Sequence, residues 1–489
     1  MKLSLKLNAV LNVIKQLLAI LFPMITMIIV ISTLGKDNYG HVNYVKSIVS
    51  YFALFAGLGI STYAVREGAY IRDDKNKYAE LASEVFTINV ASTIVSYLVL
   101  FVCILLFREA SWANDMPLVL ILSGVIVLTT IGADWINTTF EDYLYITIRY
   151  ILFYAIAIGL LFVLIRDPND YHEYALLIVV ATAGGNVLNV LYIRRYVKLR
   201  LVSFKKCIKH LKAVFVLFSS NVATTIYINS DITMIGAIIN DEAVAIYSVA
   251  SNIYIAVKQI ANAAITVAMP KLIRLISDGK KEEYSKTMNG LVSLVSILIF
   301  PAMVGLYSLS ENLMVFMGGE ENGFEDGAVS LKILCFAIFF AVLNFVISRC
   351  VTLPFKEDKI YMASTAISAL INIVLNFILL PLASYNGAAI TTLISEIVVF
   401  VILLFNCRKH IIITYDLRNL ISVVPGCIYI YFVCELLRGC SLLPNILYIC
   451  LSIMISVGGY FIILLLTKNS TALRYIKQFI SRRNRKQKA

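Results

Sequence analysis

The chain has 489 residues, 60% of them hydrophobic and only 15% charged, with mean hydropathy +0.84. This composition excludes an ordinary soluble domain and points to an all-α polytopic membrane protein. Its formal net charge is +12, which the topology derived below explains without a nucleic-acid partner.

Apolar runs of about 20 residues, each enough to cross a bilayer as a helix, recur from end to end. The first, at about 9–34, presents Asn8, Asn12 and Lys15 and contains Pro23, a place where a membrane helix can bend. It lacks a small-residue cleavage site after a short apolar core and is expected to be retained. Spans at about 42–61, 84–107, 117–135, 146–166 and 174–193 follow, with Lys46 inside the second and Gly184-Gly185 marking a bend in the sixth. A basic connector from Arg194 to Lys212 leads to spans at about 213–239, 243–269, 289–309, 329–351, 360–381 and 386–406. Two more, at about 419–438 and 443–467, precede a basic tail. The count is about fourteen transmembrane helices, and no connection is long enough for a folded soluble domain.

Short polar motifs recur in the same order. Phe140-Glu141-Asp142-Tyr143-Leu144-Tyr145 returns as Lys356-Glu357-Asp358-Lys359-Ile360-Tyr361. Arg66 and the run Arg72–Tyr78 are echoed by Lys271 and the run Asp278–Tyr284, and Asp37–Tyr44 by Asn240–Tyr247. Six helices separate equivalent points, so the halves are expected to be parallel repeats about an axis along the membrane normal. The expected organisation is an N-terminal six-helix bundle over 1–200 and a second six-helix bundle over 201–412, with two additional helices and a basic cytosolic tail over 413–489. Lys and Arg crowd alternate connections. About 34 of them fall on one side against about 5 on the other, which makes that side and both termini cytoplasmic.

Conventional catalytic chemistries find no support. There is no G-x-x-x-x-G-K-S/T phosphate loop, and His41, His172, His210 and His410 are isolated in sequence, without metal-ligand spacing. The nine cysteines include no C-x-x-C pair and lie mostly in apolar spans, as packing residues do. Asp73-Asp74 sit in a connection too short to build a nucleotide-sugar site. No enzyme activity, cofactor or metal is expected.

Polar residues inside the spans carry the functional signal. Ser251, Tyr254, Lys258, Asn262 and Thr266 share one face of the eighth span, and Ser364, Ser368, Asn372 and Asn376 one face of the eleventh. The seventh is polar along much of its length, with Asn221 and Asp231 among its residues. Most single Ser or Asn residues of this kind bond neighbouring helices. A charge deep in a span is a functional-site hypothesis by default, which singles out Lys258 and Asp231. Lys15 and Lys46 are the other lysines inside spans, although each can snorkel to an interface. Arg66, Glu67, Glu141, Asp142, Glu357 and Asp358 form the cytosolic gate motifs.

Leu34-Gly35-Lys36-Asp37-Asn38-Tyr39-Gly40, Gly57–Glu67, Asp134-Trp135 with Glu141 and Tyr145, Asp231–Gly236, Ile246–Ala250, Met269–Leu272 and Asn386–Thr392 with Glu396 appear in a characteristic order. Together they resemble the Wzx-type bacterial polysaccharide repeat-unit (O-antigen) flippases of the multidrug/oligosaccharidyl-lipid/polysaccharide exporter superfamily. The resemblance implies translocation of an undecaprenyl-diphosphate-linked oligosaccharide across the cytoplasmic (inner) membrane for surface polysaccharide or lipopolysaccharide assembly. It further implies alternating access driven by an H+ or Na+ gradient, with polysaccharide polymerase machinery as a partner. A diphosphate in a low-dielectric cavity calls for cations such as Lys258, Lys15 and Lys46, and the amide groups of Asn262, Asn221 and Asn372 suit a sugar. Three rivals stand beside this reading: a multidrug extruder, a lipid-linked peptidoglycan precursor flippase, and a membrane-bound polysaccharide polymerase. The short outer connections, poor in Arg and His, argue against the last.

Overall fold

A computed structural model describes residues 5–319, 322–408, 410, 419, 421–439 and 444–474, and among them every regular element is a helix. By internal contacts the chain divides into two units, Met1–Ser248 and Val249–Ala489.

In the first unit, α1 spans Leu5–Gly57 and is divided at Gly35, whose φ of 75° and ψ of 173° suit glycine alone. Nothing lies within 4 Å of where its Cβ would be, so backbone preference and not crowding selects glycine there. Pro23 is carried within α1, and the break falls at Gly35 instead. The chain continues as α2 (Ile60–Ile71) and α3 (Lys75–Leu106), the latter capped by the Asp74 carboxylate accepting from the Asn76 and Lys77 amides. Asp115 caps α4 (Met116–Gly132) in the same manner. Burial pushes its carboxyl up, but hydrogen bonds from His172, Tyr171 and the Leu118 amide hold it below the usual range. Next come α5 (Tyr143–Leu164), α6 (Tyr171–Val179), a π turn (Val180–Gly184) and α7 (Gly185–Tyr192). The bend expected at Gly184-Gly185 is this wider turn. α8 (Phe204–Ile238) ends the unit, and α9 (Asp241–Ser277) carries the chain into the second.

The second unit continues with α10 (Lys281–Ser308), α11 (Ala328–Ile347), a π turn (Ser348–Thr352) and α12 (Asp358–Cys407). It closes with α13 (Val424–Arg438) and α14 (Asn445–Leu466). Ser384, at φ 50° and ψ −144°, divides α12 as Gly35 divides α1.

Apolar side chains face outward on these helices, and α3 and α12 also bury a polar face. On α3, Leu98, Phe101, Val102 and Leu105 are exposed while Glu84, Asn89, Thr93 and Ser96 are buried. On α12, Ile367, Leu370, Val374 and Phe377 are exposed, whereas Ser364, Ser368, Asn372 and Asn376 are buried, the shared polar face expected. Ten helices among the described residues are long and apolar enough to cross a membrane, and two of these, Phe22–Ile71 and Asp358–Cys407, reach 50 residues. Each of those is about twice the length one crossing needs, so together with shorter apolar helices the lengths accommodate about fourteen crossings. The protein is a multi-pass membrane protein.

The internal repeat is built in atoms as well as letters. Glu141 and Lys356 both adopt positive φ, 59° and 60°. The next amide in each copy reaches back five residues, Asp142 to the Asn137 carbonyl at 2.9 Å and Glu357 to that of Thr352 at 2.7 Å. Phe140 stacks on Tyr196 at 4.3 Å and meets the Tyr78 edge; Phe355 stacks on His410 at 4.0 Å and meets the Tyr284 edge. The backbones therefore correspond one residue out of step with the letters. Glu141 matches Lys356, and Asp142 matches Glu357.

Candidate translocation site

The Lys258 charge is compensated within the second unit. On α9, Lys258 follows Tyr254 by four residues, so the two side chains lie on the same face. Lys258 Nζ stands 4.5 Å from the Tyr254 ring centroid and donates to its hydroxyl at 3.2 Å. That hydroxyl donates to Glu396 Oε1 on α12 at 3.1 Å, and Lys258 Nζ lies 3.9 Å from the same oxygen. Asn344 on α11 fixes the carboxylate from the other side. Its amide nitrogen donates to Glu396 Oε2 at 2.8 Å and to the Glu396 carbonyl at 2.9 Å. The Glu396 side chain is 7% exposed, while that of Lys258 is 22% exposed. The carboxylate is thus anchored by Tyr254 and Asn344, and the ammonium is the accessible partner.

Beside this pair a polar ring ties the two segments of α12 together. Asn372 donates to Thr391 at 3.2 Å, Thr391 to Asn376 at 2.7 Å, and Asn376 back to Asn372 at 3.3 Å. Asn262 is buried on the Lys258 face, and its Oδ1 finds no hydrogen-bond donor.

The remaining expected residues are dispersed. Asp231 is buried in the first unit and accepts from the Tyr247 hydroxyl at 2.7 Å. Asn221 is half-buried on α8, Lys46 is exposed on α1, and the Lys15 side chain lies outside the described residues. Arg66 pairs with Glu67 at 2.9 Å. Arg72 donates to Glu141 at 2.8 Å and to the Thr139 carbonyl at 2.9 Å. Asp142 receives Arg195, Tyr192 and Tyr196. Its counterpart Glu357 receives His410 at 3.1 Å, and Asp358 opens α12.

Several charged contacts were not legible beforehand. Arg149, 4% exposed on α5, donates to Asp134 at 2.7 Å, and Gly185 leaves room for its side chain, whose Cγ would lie 2.9 Å from a Cβ there. Glu84, 1% exposed on α3, receives His210 at 2.7 Å and Lys209 at 2.9 Å, while His210 also bonds Tyr63 at 2.7 Å. His41 stands between Asp241, at 2.9 Å, and Asp115, which also meets His172 at 3.0 Å. All four histidines, isolated in sequence, meet carboxylates in space. The intramembrane-charge rule that flags Lys258 also covers Arg149; the histidine partners have no such signal.

Each unit also holds an apolar cavity. One of about 450 Å³ is lined by Phe52, Phe55, Ile88, Val95 and Phe215; one of about 430 Å³ is lined by Met303, Tyr307, Phe336, Ile428 and Phe432. Neither includes Lys258 or Glu396, and both linings suit hydrocarbon and not sugar.

Comparison with known proteins places the chain. The sequence profile described as polysaccharide biosynthesis protein matches residues 5–276, and the MatE profile matches 217–378. The capsular polysaccharide biosynthesis protein CapF of Staphylococcus aureus is 22% identical over 396 residues, covering 79% of this chain and 95% of CapF. A putative O-antigen transporter of Escherichia coli (strain K12) is 22% identical over 413 residues, covering 84% and 98%. Among solved structures, the lipid II flippase MurJ in its inward closed conformation superposes with TM-score 0.75 at 18% identity, over 94% of this chain and 99% of that one. An inward-facing multidrug resistance MATE family transporter superposes with TM-score 0.62 at 14% identity, over 80% and 94%. The fold and the relatives define a polytopic helical transporter of the flippase and exporter class, not an enzyme. The chain belongs to the polysaccharide biosynthesis protein family.

Proposed function

We propose that the protein moves an undecaprenyl-diphosphate-linked oligosaccharide across the bacterial cytoplasmic membrane by alternating access, drawing on an H+ or Na+ gradient. The capsule and O-antigen relatives support the polysaccharide context, and the lysine and arginine distribution supports cytoplasmic termini. The observation that carries the reading is Lys258, a cation held inside a membrane span and accessible where its carboxylate partner is not. An ammonium so placed holds a diphosphate as a point charge. The two halves are proposed to act as rocking bundles, and the polymerase as the next protein to receive the substrate.

The test is surface polysaccharide normalised to protein abundance in cells whose only copy is wild type or a Lys258 variant. Lys258→Arg should retain most export because it keeps the charge, Lys258→Gln should lose most, and Lys258→Glu should be lowest. Equal export by the Arg and Glu variants removes Lys258 from the mechanism. In the deletion strain, lipid-linked units should accumulate on the cytosolic leaflet. Accumulation of lipid-linked peptidoglycan precursor instead would reassign the substrate.

A further inference from the structure

We infer that Glu396 is a proton-binding site, loaded when an anion takes Lys258 away from it. This rests on the reading of Lys258 as the anion-binding cation, but the carboxylate can be examined alone.

The argument begins with how unevenly the pair is held. Glu396 accepts from Tyr254 and Asn344 and stays buried whatever Lys258 does. Lys258 reaches the carboxylate at 3.9 Å and is the more accessible of the two. A phosphate arriving at Lys258 has two negative oxygens or more to offer against one carboxylate, so it is the stronger claimant. Once Lys258 turns to it, Glu396 becomes a buried carboxylate without a counter-charge in a membrane span. Such a group neutralises in preference to remaining ionised.

The surroundings accommodate the neutral acid. Asn344 spends both amide hydrogens on Glu396, and its Oδ1 is buried with no hydrogen-bond donor; the Ser395 hydroxyl is likewise buried without a partner. An ionised carboxylate cannot donate to either. A carboxylic acid carries the O–H donor that an ionised one lacks, and the two idle oxygens lie on a residue bonded to Glu396 and on its neighbour in sequence. Other groups facing Glu396 do not substitute for Lys258. Tyr361 on the same helix is neutral, and Arg349 in the π turn interacts electrostatically with Tyr361 and Asp358. The step balances simply: one proton from water joins the Glu396 carboxylate as the ammonium transfers to the anion, and it leaves when the anion does. Anion occupancy and proton occupancy are thereby tied at neighbouring residues.

Difference infrared spectroscopy of the purified protein in nanodiscs at neutral pH tests the carboxylate directly. Lys258→Gln removes the ammonium and imitates the anion-occupied state. A protonated-carboxyl band should appear in Lys258→Gln and be absent from wild type and from Lys258→Gln/Glu396→Gln. If Glu396 stays ionised in Lys258→Gln, the inference is overturned. A second arm uses the wild type, so it does not depend on that variant folding. Farnesyl diphosphate is titrated calorimetrically in buffers of different ionisation heat, and binding should take up about one proton per anion. The uptake should vanish in Glu396→Gln while binding persists. Binding without uptake, or equal uptake by Glu396→Gln, also overturns the inference. Farnesyl diphosphate failing to bind counts against the anion-transport reading, and the infrared band still decides Glu396.

Discussion

Arg149 shows how a buried charge in this chain is made tolerable. It lies in the second turn of α5, and its only ion-pair partner among the described residues is Asp134, which also accepts from Asn137 at 3.2 Å. Asn137 donates in turn to Asn189 at 2.6 Å, and Asn189 to the Gly132 carbonyl at 2.6 Å. Truncating one member of a buried pair leaves the other uncompensated, whereas removing both is far milder. Arg149→Leu should therefore destabilise the first unit by about 3 kcal/mol, and Arg149→Leu/Asp134→Leu by less. Thermal unfolding of the purified variants checks this, and a double variant no better than the single one counts against the pairing. Lys258 was legible in sequence because one charge interrupts an apolar run. Glu396 was legible only as a motif letter. Its partners Tyr254, Lys258 and Asn344 are brought to it by tertiary packing of three helices, which no local periodicity encodes.

The helices themselves were legible, because hydrophobic length is a strong signal and the long apolar runs among the described residues are helical. Where they break was not. Proline suggested a bend at Pro23, but membrane helices absorb proline when neighbours and local adjustments satisfy the freed carbonyl. The divisions lie instead at Gly35 and Ser384, both at positive φ, and only the first has the residue that conformation favours. Opposite outcomes follow. Gly35→Ala should cost about 1–3 kcal/mol through backbone strain alone, since its Cβ meets no atom. Ser384→Gly should stabilise, by about 1 kcal/mol, through release of the same strain. Unfolding temperatures of the two variants in one detergent decide it, and shifts of the same sign would contradict the strain argument. The sequence motifs stand one residue out of register with the backbone repeat for a related reason. Letters align Glu with Glu, but the positive-φ turn preceding α5 and α12 aligns Glu141 with Lys356.

For the whole molecule, the distribution of charge and the surface of the helices make independent statements that agree. Exposed Leu, Phe and Ile on α3 and α12 require hydrocarbon around the helices, and the basic connections carry the proposal that their side is cytosolic. A labelling experiment decides the proposed orientation. Asp73, in the turn between α2 and α3, and Asn169, in the connection before α6, are both exposed and lie at opposite ends of helices of the first unit. Each is changed to cysteine in a background with the nine native cysteines replaced. Intact cells, stripped of outer barriers where present, are treated with a membrane-impermeant maleimide. Asn169→Cys should label at once. Asp73→Cys should label only after the membrane is permeabilised, because its neighbours Arg72, Lys75 and Lys77 belong to the basic, cytosolic set. The reverse pattern would invert the protein. It would also place the Glu141–Arg72 contact on the outer face, and overturn the proposed direction of transport.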